Sequence, residues 1–321
     1  MKRTILLIGR TGQVGSELLR LLPALGEVVA PDRSELDLLA PDSIRHTVRK
    51  VRPELIINAA AFTAVDSAET KEAEARAVNA DAPGVLAEEA RNCGAAVIHY
   101  STDYVFDGTK RTPYEETDAV APINVYGKTK LAGEQAIRAS GVSHLIFRTA
   151  WVYSDRGRNF LRTILRLATE REELRVVHDQ FGAPTWSRDI AEVTVRVLGQ
   201  LTSQDESVAD SLSQGSGIYH LTAAGETTWY DFARAILEQA AEISPDVSWF
   251  VDATQGRPLI ARRIVPITTA EYPTPASRPA FSTLSNSRLY RTFGLRLPDW
   301  RTQLRVACQS GRCTPVDAPP L

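Results

Sequence analysis

The stretch TILLIGRTGQVGSEL, residues 4–18, decides the fold. It opens with a short apolar run typical of a buried strand, passes through three glycines spaced three residues apart, and continues as a helical pattern. Glycine allows a tight turn, and the N–H groups at a helix N-terminus attract phosphate oxygens. Strand, glycine turn and helix in this order predict a dinucleotide site. The residues predicted to form it are Gly9, Gly12, Gln13, Val14 and Gly15.

Further apolar runs alternate with helical patterns over the first two hundred residues. These runs are EVVAPD (27–32), ELIINAAA (54–61), AAVIHYST (95–102), HLIFRTAWVY (144–153) and LRVVHD (174–179). They are continuous and not alternating, which is typical of parallel strands covered by helices on both faces. Strands and helices in alternation form right-handed βαβ units. We therefore predict an α/β fold: a Rossmann-type doubly wound parallel sheet with a smaller C-terminal α/β substrate-binding lobe.

The same pattern suggests how the chain is divided. The segment GQLTSQDESVADSLSQGSG (199–217) is polar and rich in serine and glycine, which predicts an exposed loop. The final residues, 308–321, are predicted to be a flexible tail. Residues 1–150 are predicted to form the NAD(P)-binding domain, to which 174–201 and about 217–224 return. The predicted substrate lobe comprises about 151–173, 180–187 and 225–307.

Composition excludes several classes of function. The chain has 321 residues, 43% of them hydrophobic and 24% charged, with a net charge of −2. No segment is basic enough to indicate nucleic acid or an anionic membrane surface. No apolar run approaches the roughly 18 residues of a membrane span. Three cysteines without metal-ligand spacing, and a start that lacks a secretory apolar region, predict reduced thiols and a cytoplasmic location.

The second strand carries the predicted choice of dinucleotide. Asp32 lies 17 residues after Gly15, about where an acid would bind the adenosine ribose, and Arg33 beside it could take a 2′-phosphate. The pair leaves NADPH and NADH both open, with NADPH favoured; a solvated turn is the structural alternative. Other residues predicted to lie along the dinucleotide are Asp37 and Leu38 near the adenine, and Ala60, Ala61 and Thr63 after the third strand.

Tyr126 and Lys130 stand four residues apart in the helical pattern VYGKTKLAGEQAI (125–137), so they share one face. Thr102 ends the fourth strand, at the edge where open α/β sheets bind ligands. A free tyrosine has a pKa near 10 and is a weak acid at neutral pH, while a nearby ammonium lowers that pKa. The three side chains could therefore protonate a carbonyl oxygen during reduction. A solvated Tyr/Lys pair is the structural alternative.

An ordered set of motifs resembles the extended short-chain dehydrogenase/reductase family, and within it the sugar-nucleotide reductases. The resemblance runs from about residue 3 to 304. The motifs are GQVG, NAAAFTAVDSAE, VNADAP, STDYVFDG, YGKTKLAGE, RTAWVYS, DQFGAPT, RPAFSTL and FGLRLPDW. It implies NAD(P)H-dependent reduction of the C4 ketone of dTDP-4-dehydro-β-L-rhamnose to dTDP-β-L-rhamnose, for surface polysaccharide such as lipopolysaccharide.

The resemblance also implies roles for single residues. Tyr126 would be the general acid, Lys130 would tune its pKa and hold the nicotinamide ribose, and Thr102 would polarise the ketone. Asn79 matches a position near the active site and joins the dinucleotide contacts, as do Tyr126 and Lys130. The implied sugar-nucleotide contacts are Thr102, Asp103, Tyr104, Trp151, Val65 and Gln180, with Thr63 close to them.

Alternatives stay open at this point. The set of Thr102, Tyr126 and Lys130 would also serve another sugar-nucleotide 4-ketoreductase or an epimerase. A non-catalytic dinucleotide-binding subunit could retain the same three residues. STDYVF lacks the Asp–Glu pair of dehydratases of this fold, which disfavours that class. Some relatives bind Mg²⁺ at a dimer contact through glutamates, and Glu17 fits one such position. The other ligands are not evident, so no metal is predicted; a homodimer is a family-level expectation.

Overall fold

The protein is described by a computed structural model that covers residues 3–201 and 207–309. The strands are β1 (Thr4–Ile8), β2 (Glu27–Val29), β3 (Leu55–Asn58), β4 (Ala96–Thr102), β5 (His144–Thr149), β6 (Val152–Tyr153), β7 (Glu173–Val177), β8 (Phe181–Gly182), β9 (Thr185–Trp186), β10 (Gly217–His220), β11 (Thr227–Thr228) and β12 (Arg263–Ile267).

The helices connect and cover these strands. They are α1 (Gln13–Leu21), α2 (Pro41–Val51), α3 (Val65–Ala68), α4 (Glu72–Arg76), α5 (Ala82–Cys93), α6 (Val125–Ser140), α7 (Phe160–Glu170), α8 (Ser187–Leu201), α9 (Val208–Ser213), α10 (Trp229–Ala240), α11 (Ser248–Thr254), α12 (Ser287–Phe293) and α13 (Trp300–Gln309). Residues Ala77–Asp81 form a π-helical turn, and Asp103–Val105 and Thr269–Glu271 form 3₁₀ turns.

Six strands form one parallel sheet in the order β10-β5-β4-β3-β1-β2. All of its neighbouring strands are parallel, so their carboxyl ends lie along one edge. The chain moves outward from β1 in both directions, which is the doubly wound topology. The predicted Rossmann-type α/β fold is confirmed.

Alternation along the strands divides the core between the two faces of the sheet. On β4, Ile98 and Tyr100 join a cluster with α1 and α8, while Val97 joins the cluster under α2, α5 and α6. The cluster under α2, α5 and α6 consists of buried aliphatic side chains, and the cluster with α1 and α8 adds aromatic rings such as Phe147 to them. Each large aliphatic side chain that is removed from water stabilises the fold by about 1.5–3 kcal/mol. The apolar runs therefore specify a two-sided sheet.

A third hydrophobic cluster lies apart from the sheet, among α7, α10, α11 and α13. β7 belongs there, since it pairs with β12 in a separate two-stranded sheet. The prediction that 174–201 as a whole returns to the main sheet is therefore wrong for β7. Its side chains alternate between exposed and buried, as expected for a strand with one covered face. Within the same range, α8 does pack on the main sheet.

The predicted exposed loop at 199–217 is also wrong over part of its length. α9 forms within it, capped by the Ser207 hydroxyl, and buries Val208 and Leu212 in the sheet cluster. These two residues are one helical turn apart, so they cover the same face. Residues 202–206 lie outside the described residues. So do 310–321, which make up most of the predicted tail; Cys308 is buried at the end of α13.

No helix in the described parts of the chain, 3–201 and 207–309, has the length and apolar character needed to cross a membrane.

Candidate functional site

The glycine turn is built by backbone contact at the carboxyl ends of β1 and β3. Gly9 has φ +88°, a left-handed conformation, and a Cβ there would lie 2.7 Å from the Ala60 nitrogen. A Cβ on Gly15 would overlap the Gly9 carbonyl oxygen. Gly12 donates its N–H to Gly9 O over 2.9 Å and starts α1 without a side-chain cap. The turn thus needs glycine and leaves the first N–H groups of α1 for an anionic ligand.

Gln13 and Val14 form the first turn of α1. The Gln13 amide nitrogen donates to the Val152 carbonyl at 3.5 Å, which links the glycine turn to β6. Gln13 Oε1 is buried and has no hydrogen-bond partner among the described residues. Val14 is half-buried against the sheet cluster. Gln13 therefore presents an unused acceptor where a dinucleotide would cross between the two lobes.

Arg10 is a residue of this site that the sequence analysis missed. Its guanidinium donates to Ala30 O at 2.8 Å and lies 3.4 Å from the Asp32 carboxylate, just beyond β2. Hydrogen bonds from Ser34 lower the pKa of Asp32, and Arg10 acts in the same direction. Arg33 is exposed. A cation inside a glycine turn was the signal that could have identified Arg10.

The remaining predicted dinucleotide residues lie along the same edge. Asp37 is exposed and accepts the Leu39 N–H at 2.9 Å, while Leu38 packs against the α2-side cluster. Ala60 and Ala61 follow β3 and are half-buried, and Thr63 is exposed. The structure brings the alanines to the glycine turn, and Asp37 and Leu38 lie beyond β2, before α2.

Asn79 is buried, with 1% of its surface exposed. It lies in the π-helical turn, accepts the Phe62 N–H at 2.8 Å and donates to Phe62 O at 3.1 Å and to the Thr129 hydroxyl at 3.2 Å. Both amide hydrogens are therefore engaged. Asn79 fastens the loop after β3 to α6, and this positions Ala60 and Ala61.

Thr102 and Asp103 lie at the carboxyl end of β4 and are 4% and 2% exposed. Thr102 Oγ1 accepts the Tyr104 N–H at 3.2 Å and donates to Asp103 Oδ1 at 3.0 Å. Asp103 Oδ2 is buried and has no hydrogen-bond partner among the described residues. Burial raises the pKa of Asp103 to about 6, against the hydroxyls of Ser282 and Thr102, which lower it. Ser282 was not predicted.

Tyr126 lies in the first turn of α6, which Asn124 caps by accepting the Gly127 N–H at 2.8 Å. Its ring meets that of Tyr104 edge to face, with centroids 5.8 Å apart. Burial raises the pKa of Tyr126 to about 12, and a hydrogen bond with Thr102 opposes this rise. The predicted lowering by Lys130 is not seen; the direction is the opposite. Tyr126 carries its proton at neutral pH.

Lys130 is 1% exposed and faces β4. Its Nζ donates to the Tyr100 carbonyl at 2.6 Å and lies 3.1 Å from His99 Nε2. Burial lowers the pKa of Lys130 to about 8, while Glu134 one turn further along α6 raises it. His99 was missed, although a polar residue inside the apolar run AAVIHYST was a signal.

Glu134 and Arg148 form a buried ion pair next to this group. Arg148 Nε and Nη2 bind the two Glu134 oxygens at 2.9 and 2.7 Å, and Ser101 donates to Glu134 at 2.5 Å. Both charged side chains are at most 3% exposed. Arg148 therefore belongs to the core under the site.

Trp151 lies beyond the end of β5 with φ +48°, an uncommon conformation for a bulky residue. Its ring stacks on Trp229 with centroids 3.5 Å apart and planes at 8°. A Cβ on Gly182 would come within 2.5 Å of the Trp151 ring, so Gly182 makes room for the stack. Gln180 accepts from the Trp229 indole N–H at 3.2 Å and donates to the Thr269 hydroxyl at 3.1 Å. Gln180 therefore fixes the orientation of the Trp229 ring. Trp229 was not among the predicted site residues.

Val65 is half-buried and begins α3, opposite a loop held by Arg278. The Arg278 guanidinium binds the Asp66 carboxylate at 2.7 Å and lowers its pKa. This pair ties α3, which begins at Val65, to the segment before residue 279.

No group of three or more histidine, cysteine, aspartate or glutamate side chains suited to a metal ion occurs in the described residues. Glu17 is paired with Arg20 at 2.8 Å. The structure gives no support for Mg²⁺ at this position.

Comparison with known proteins places these observations in a family. Residues 1–313 match the model described as RmlD substrate binding domain. A dTDP-4-dehydrorhamnose reductase of Burkholderia thailandensis is 51% identical, over 92% of this chain and 95% of that protein. One of Escherichia coli K12 is 45% identical, over 94% and 95%. The crystal structure of dTDP-4-dehydrorhamnose reductase from Bacillus anthracis in complex with NADP superposes with a TM-score of 0.83, at 31% identity over 97% of this chain and 100% of that one.

Proposed function

This chain belongs to the RmlD substrate binding domain family, and we propose that it reduces the C4 ketone of dTDP-4-dehydro-β-L-rhamnose to dTDP-β-L-rhamnose. It is accordingly an oxidoreductase of dTDP-rhamnose biosynthesis, as the motif resemblance predicted. The observation that carries the proposal to this chain's own residues is the placement of Thr102 at the end of β4 and of Tyr126 in the first turn of α6. Both lie at the carboxyl edge of the sheet, which also carries the glycine turn, and Thr102 acts on the pKa of Tyr126.

The residues present fit a dinucleotide. A Cβ at Gly9 or Gly15 would collide with backbone, so only glycine lets β1, β3 and α1 approach closely enough to form the turn. The uncapped start of α1 would hold the pyrophosphate, and Gln13 Oε1 offers an unused acceptor. We propose NADPH as the preferred form, because Arg10 adds a second cation beside Arg33 at the end of β2; NADH use is compatible with Asp32.

The protein's own part in the reaction is proton delivery. The bound cofactor supplies a hydride to C4. Tyr126 then gives its hydroxyl proton to the oxygen that develops negative charge, since an alkoxide is a far stronger base than a phenolate. Thr102 is placed to hydrogen-bond the same oxygen, which requires its hydroxyl to leave Asp103 Oδ1. Lys130 lies one turn further along α6, and in its ammonium form, which predominates below its pKa of about 8, it would stabilise the tyrosinate that remains.

The sugar nucleotide would be held by the second lobe. Trp151 and Trp229 form an aromatic wall, and Asp103 Oδ2 is an unpartnered acceptor that a sugar hydroxyl could satisfy. Residues 1–150 with α8 and β10 would bind the dinucleotide, and the remainder with β7 the sugar nucleotide. This division is part of the proposal.

The test is oxidation of NADPH and of NADH, followed at the nicotinamide absorbance, with dTDP-4-dehydro-6-deoxyglucose as substrate and with or without a 3,5-epimerase. Turnover that requires the epimerase and yields dTDP-L-rhamnose is expected, faster with NADPH. No turnover by protein that still binds dinucleotide would refute the proposal in favour of another sugar nucleotide or a binding subunit.

The role of Tyr126 has its own test. Tyr126→Phe should lower kcat by about 10²–10⁴-fold, the usual contribution of a general acid, while dinucleotide binding is retained. Tyr104→Phe is the matched variant, since it removes a hydroxyl from the other ring of the same aromatic pair. It should affect KM more than kcat. A Tyr126→Phe enzyme with normal kcat would exclude Tyr126 as the acid.

A further inference from the structure

A chain of three buried polar side chains runs from the third strand to the site helix. Asn58 on β3, His99 on β4 and Lys130 on α6 are each at most 1% exposed. Asn58 Nδ2 lies 3.3 Å from His99 Nδ1, and Lys130 Nζ lies 3.1 Å from His99 Nε2. Each ring nitrogen of His99 therefore has one hydrogen-bond partner. These partners determine which of the two nitrogens carries the ring hydrogen.

The Asn58 amide is oriented by the backbone. Its Oδ1 accepts the Ala60 N–H at 3.1 Å, and a backbone N–H can only donate. Since the oxygen is held there, the amide nitrogen is the group that faces His99. An amide nitrogen donates and does not accept, so Nδ1 of His99 must be the acceptor.

The hydrogen of His99 then lies on Nε2. Burial, and secondarily the charge of Lys130, lower the pKa of His99 well below its ordinary value, so the ring is neutral and carries one N–H. Nε2–H points at Lys130 Nζ. An ammonium has three donors and no acceptor, whereas an amine has a lone pair. In this arrangement Nζ accepts from His99 and donates to the Tyr100 carbonyl at 2.6 Å.

The surrounding charges leave both forms of Lys130 within reach near neutral pH. Burial lowers the pKa of Lys130 to about 8, and Glu134 on the same helix favours the charged form. The Glu134 carboxylate is already bound through both oxygens by Arg148 of β5. Tyr126 on the same helix carries its proton. The Tyr100 side chain hydrogen-bonds Thr194 and packs in the cluster with α1 and α8, on the opposite face of the sheet.

We propose that His99, oriented by Asn58, is a positioning residue that sets the protonation state of Lys130 by presenting an N–H to Nζ and so favouring the neutral amine. To become an ammonium, Lys130 needs an acceptor at Nε2. The His99 hydrogen must then move to Nδ1 and the Asn58 amide must turn over. Turning takes Oδ1 away from the Ala60 N–H, so proton uptake by Lys130 carries the cost of that lost bond.

The test is Asn58→Asp, which replaces the amide donor that faces His99 Nδ1 with a carboxylate acceptor. A carboxylate can accept from Ala60 with one oxygen and from His99 Nδ1–H with the other, which leaves Nε2 free to accept from an ammonium. The pKa of Lys130 should then rise by about one pH unit or more, as is typical of an added carboxylate. His99→Gln is a second variant, because its amide can turn to accept from Lys130 and should also raise this pKa.

The measurement is a pH titration of the Cε resonances of protein labelled with ¹³C-lysine. The chain has six lysines, and of the five in the described residues only Lys130 is buried. Thr194→Val is the matched control, since it removes a buried hydrogen bond from the opposite face of β4. An unchanged Lys130 titration in either folded variant, or an equal shift in Thr194→Val, would overturn the proposal.

The proposal gains its catalytic meaning from the proposed function, and the two can fail separately. The lysine titration needs no substrate. If the reductase activity is present, the basic limb of the pH profile of kcat/KM should move upward in Asn58→Asp together with the Lys130 titration. A shifted titration in a protein without turnover would refute the proposed function alone; turnover with an unshifted titration would refute the role of His99 alone.

Discussion

The glycine turn and the tryptophan stack are the two ends of the site, and they are built in different ways. The turn is backbone against backbone: Gly9 and Gly15 exist to let β1, β3 and α1 touch. The stack is side chain against side chain, from segments 78 residues apart in sequence, with Gly182 and Gln180 shaping it from a third segment. The first kind of site is specified locally and tolerates almost no change; the second is assembled at long range and should tolerate more.

The largest effect is expected at the glycine turn, the end of the site that is built from backbone contacts. Gly15→Val places a branched side chain on the Gly9 carbonyl, which the turn cannot move away from without losing its contact with Ala60. The free energy of unfolding should fall by more than about 4 kcal/mol, with loss of dinucleotide binding. Gly94→Ala is the control: Gly94 has φ +75° but nothing within 4 Å of a Cβ. It should cost only about 1 kcal/mol. Urea unfolding of both measures the contrast.

The next effect is expected under the site, in the buried ion pair. Glu134→Gln leaves the Arg148 charge buried at 2% exposure without its carboxylate. Loss of one partner from such a pair costs about 3–5 kcal/mol. Glu170→Gln removes the partner of Arg166 in an exposed i,i+4 pair and should cost no more than about 0.5 kcal/mol. Similar unfolding midpoints for the two variants would show that the Glu134–Arg148 pair is not desolvated.

A pH-dependent effect is expected at Asp103. Its pKa in the folded protein is about 6, above the value near 3.9 of an unfolded chain. The folded state therefore holds the proton more tightly, and stability is lost as the pH rises from about 4 through about 6. Asp103→Asn should remove this loss: little change at pH 4, and a gain of about 3 kcal/mol at pH 8. Thermal unfolding at both pH values tests it.

Asp107 gives the opposite sign and is the matched control for Asp103. Hydrogen bonds from Thr109 and Tyr114 lower its pKa, so its contribution to stability is present at neutral pH and is lost as the pH falls. Asp107→Asn should therefore destabilise at pH 8 and converge with the wild type in acid. If both variants changed stability in the same direction at pH 8, the burial of Asp103 would not be the cause.

The smallest effect is expected at the tryptophan stack, the end of the site that is built from side-chain contacts. Gln180→Leu removes the bonds to Trp229 and Thr269 but keeps the stack itself. Each lost hydrogen bond is worth about 1 kcal/mol, so we expect a few-fold rise in KM for the sugar nucleotide at similar kcat. The control is Gln200→Leu on α8. It loses one hydrogen bond to the Phe293 carbonyl and should leave KM unchanged. A large drop in kcat for Gln180→Leu would place Gln180 in the chemistry.

The same contrast explains what could be predicted from sequence. Strand positions, their parallel order and the glycine turn follow from local apolar runs and from the backbone freedom of glycine. β7 was assigned to the wrong sheet because a short apolar run does not state which neighbour it pairs with. α9 was missed because its polar surroundings hide two apolar residues, Val208 and Leu212, on one helical face.

Within the site, positions were easier to predict than electrostatics. The spacing of Tyr126 and Lys130 put both on one face of α6, but the pKa of Tyr126 is raised because burial outweighs the opposing effect of Thr102. Lys130 points toward His99, a partner 31 residues away that no spacing rule identifies. Arg148 is buried against Glu134, a partner 14 residues away that the apolar run around it does not identify. Burial depends on the whole fold, so the pKa shifts that it causes could not be predicted from the spacing of residues in the sequence.

The parallel stack of Trp151 on Trp229 also gives the protein an optical signature. Two indole rings with centroids 3.5 Å apart share their electronic excitation, so these two of the five tryptophans should dominate the near-ultraviolet circular dichroism. Any ligand that slides between the rings, or tilts one of them, changes that coupling without a label. The second lobe thus contains its own reporter of sugar-nucleotide binding, in the same rings that would form the binding wall.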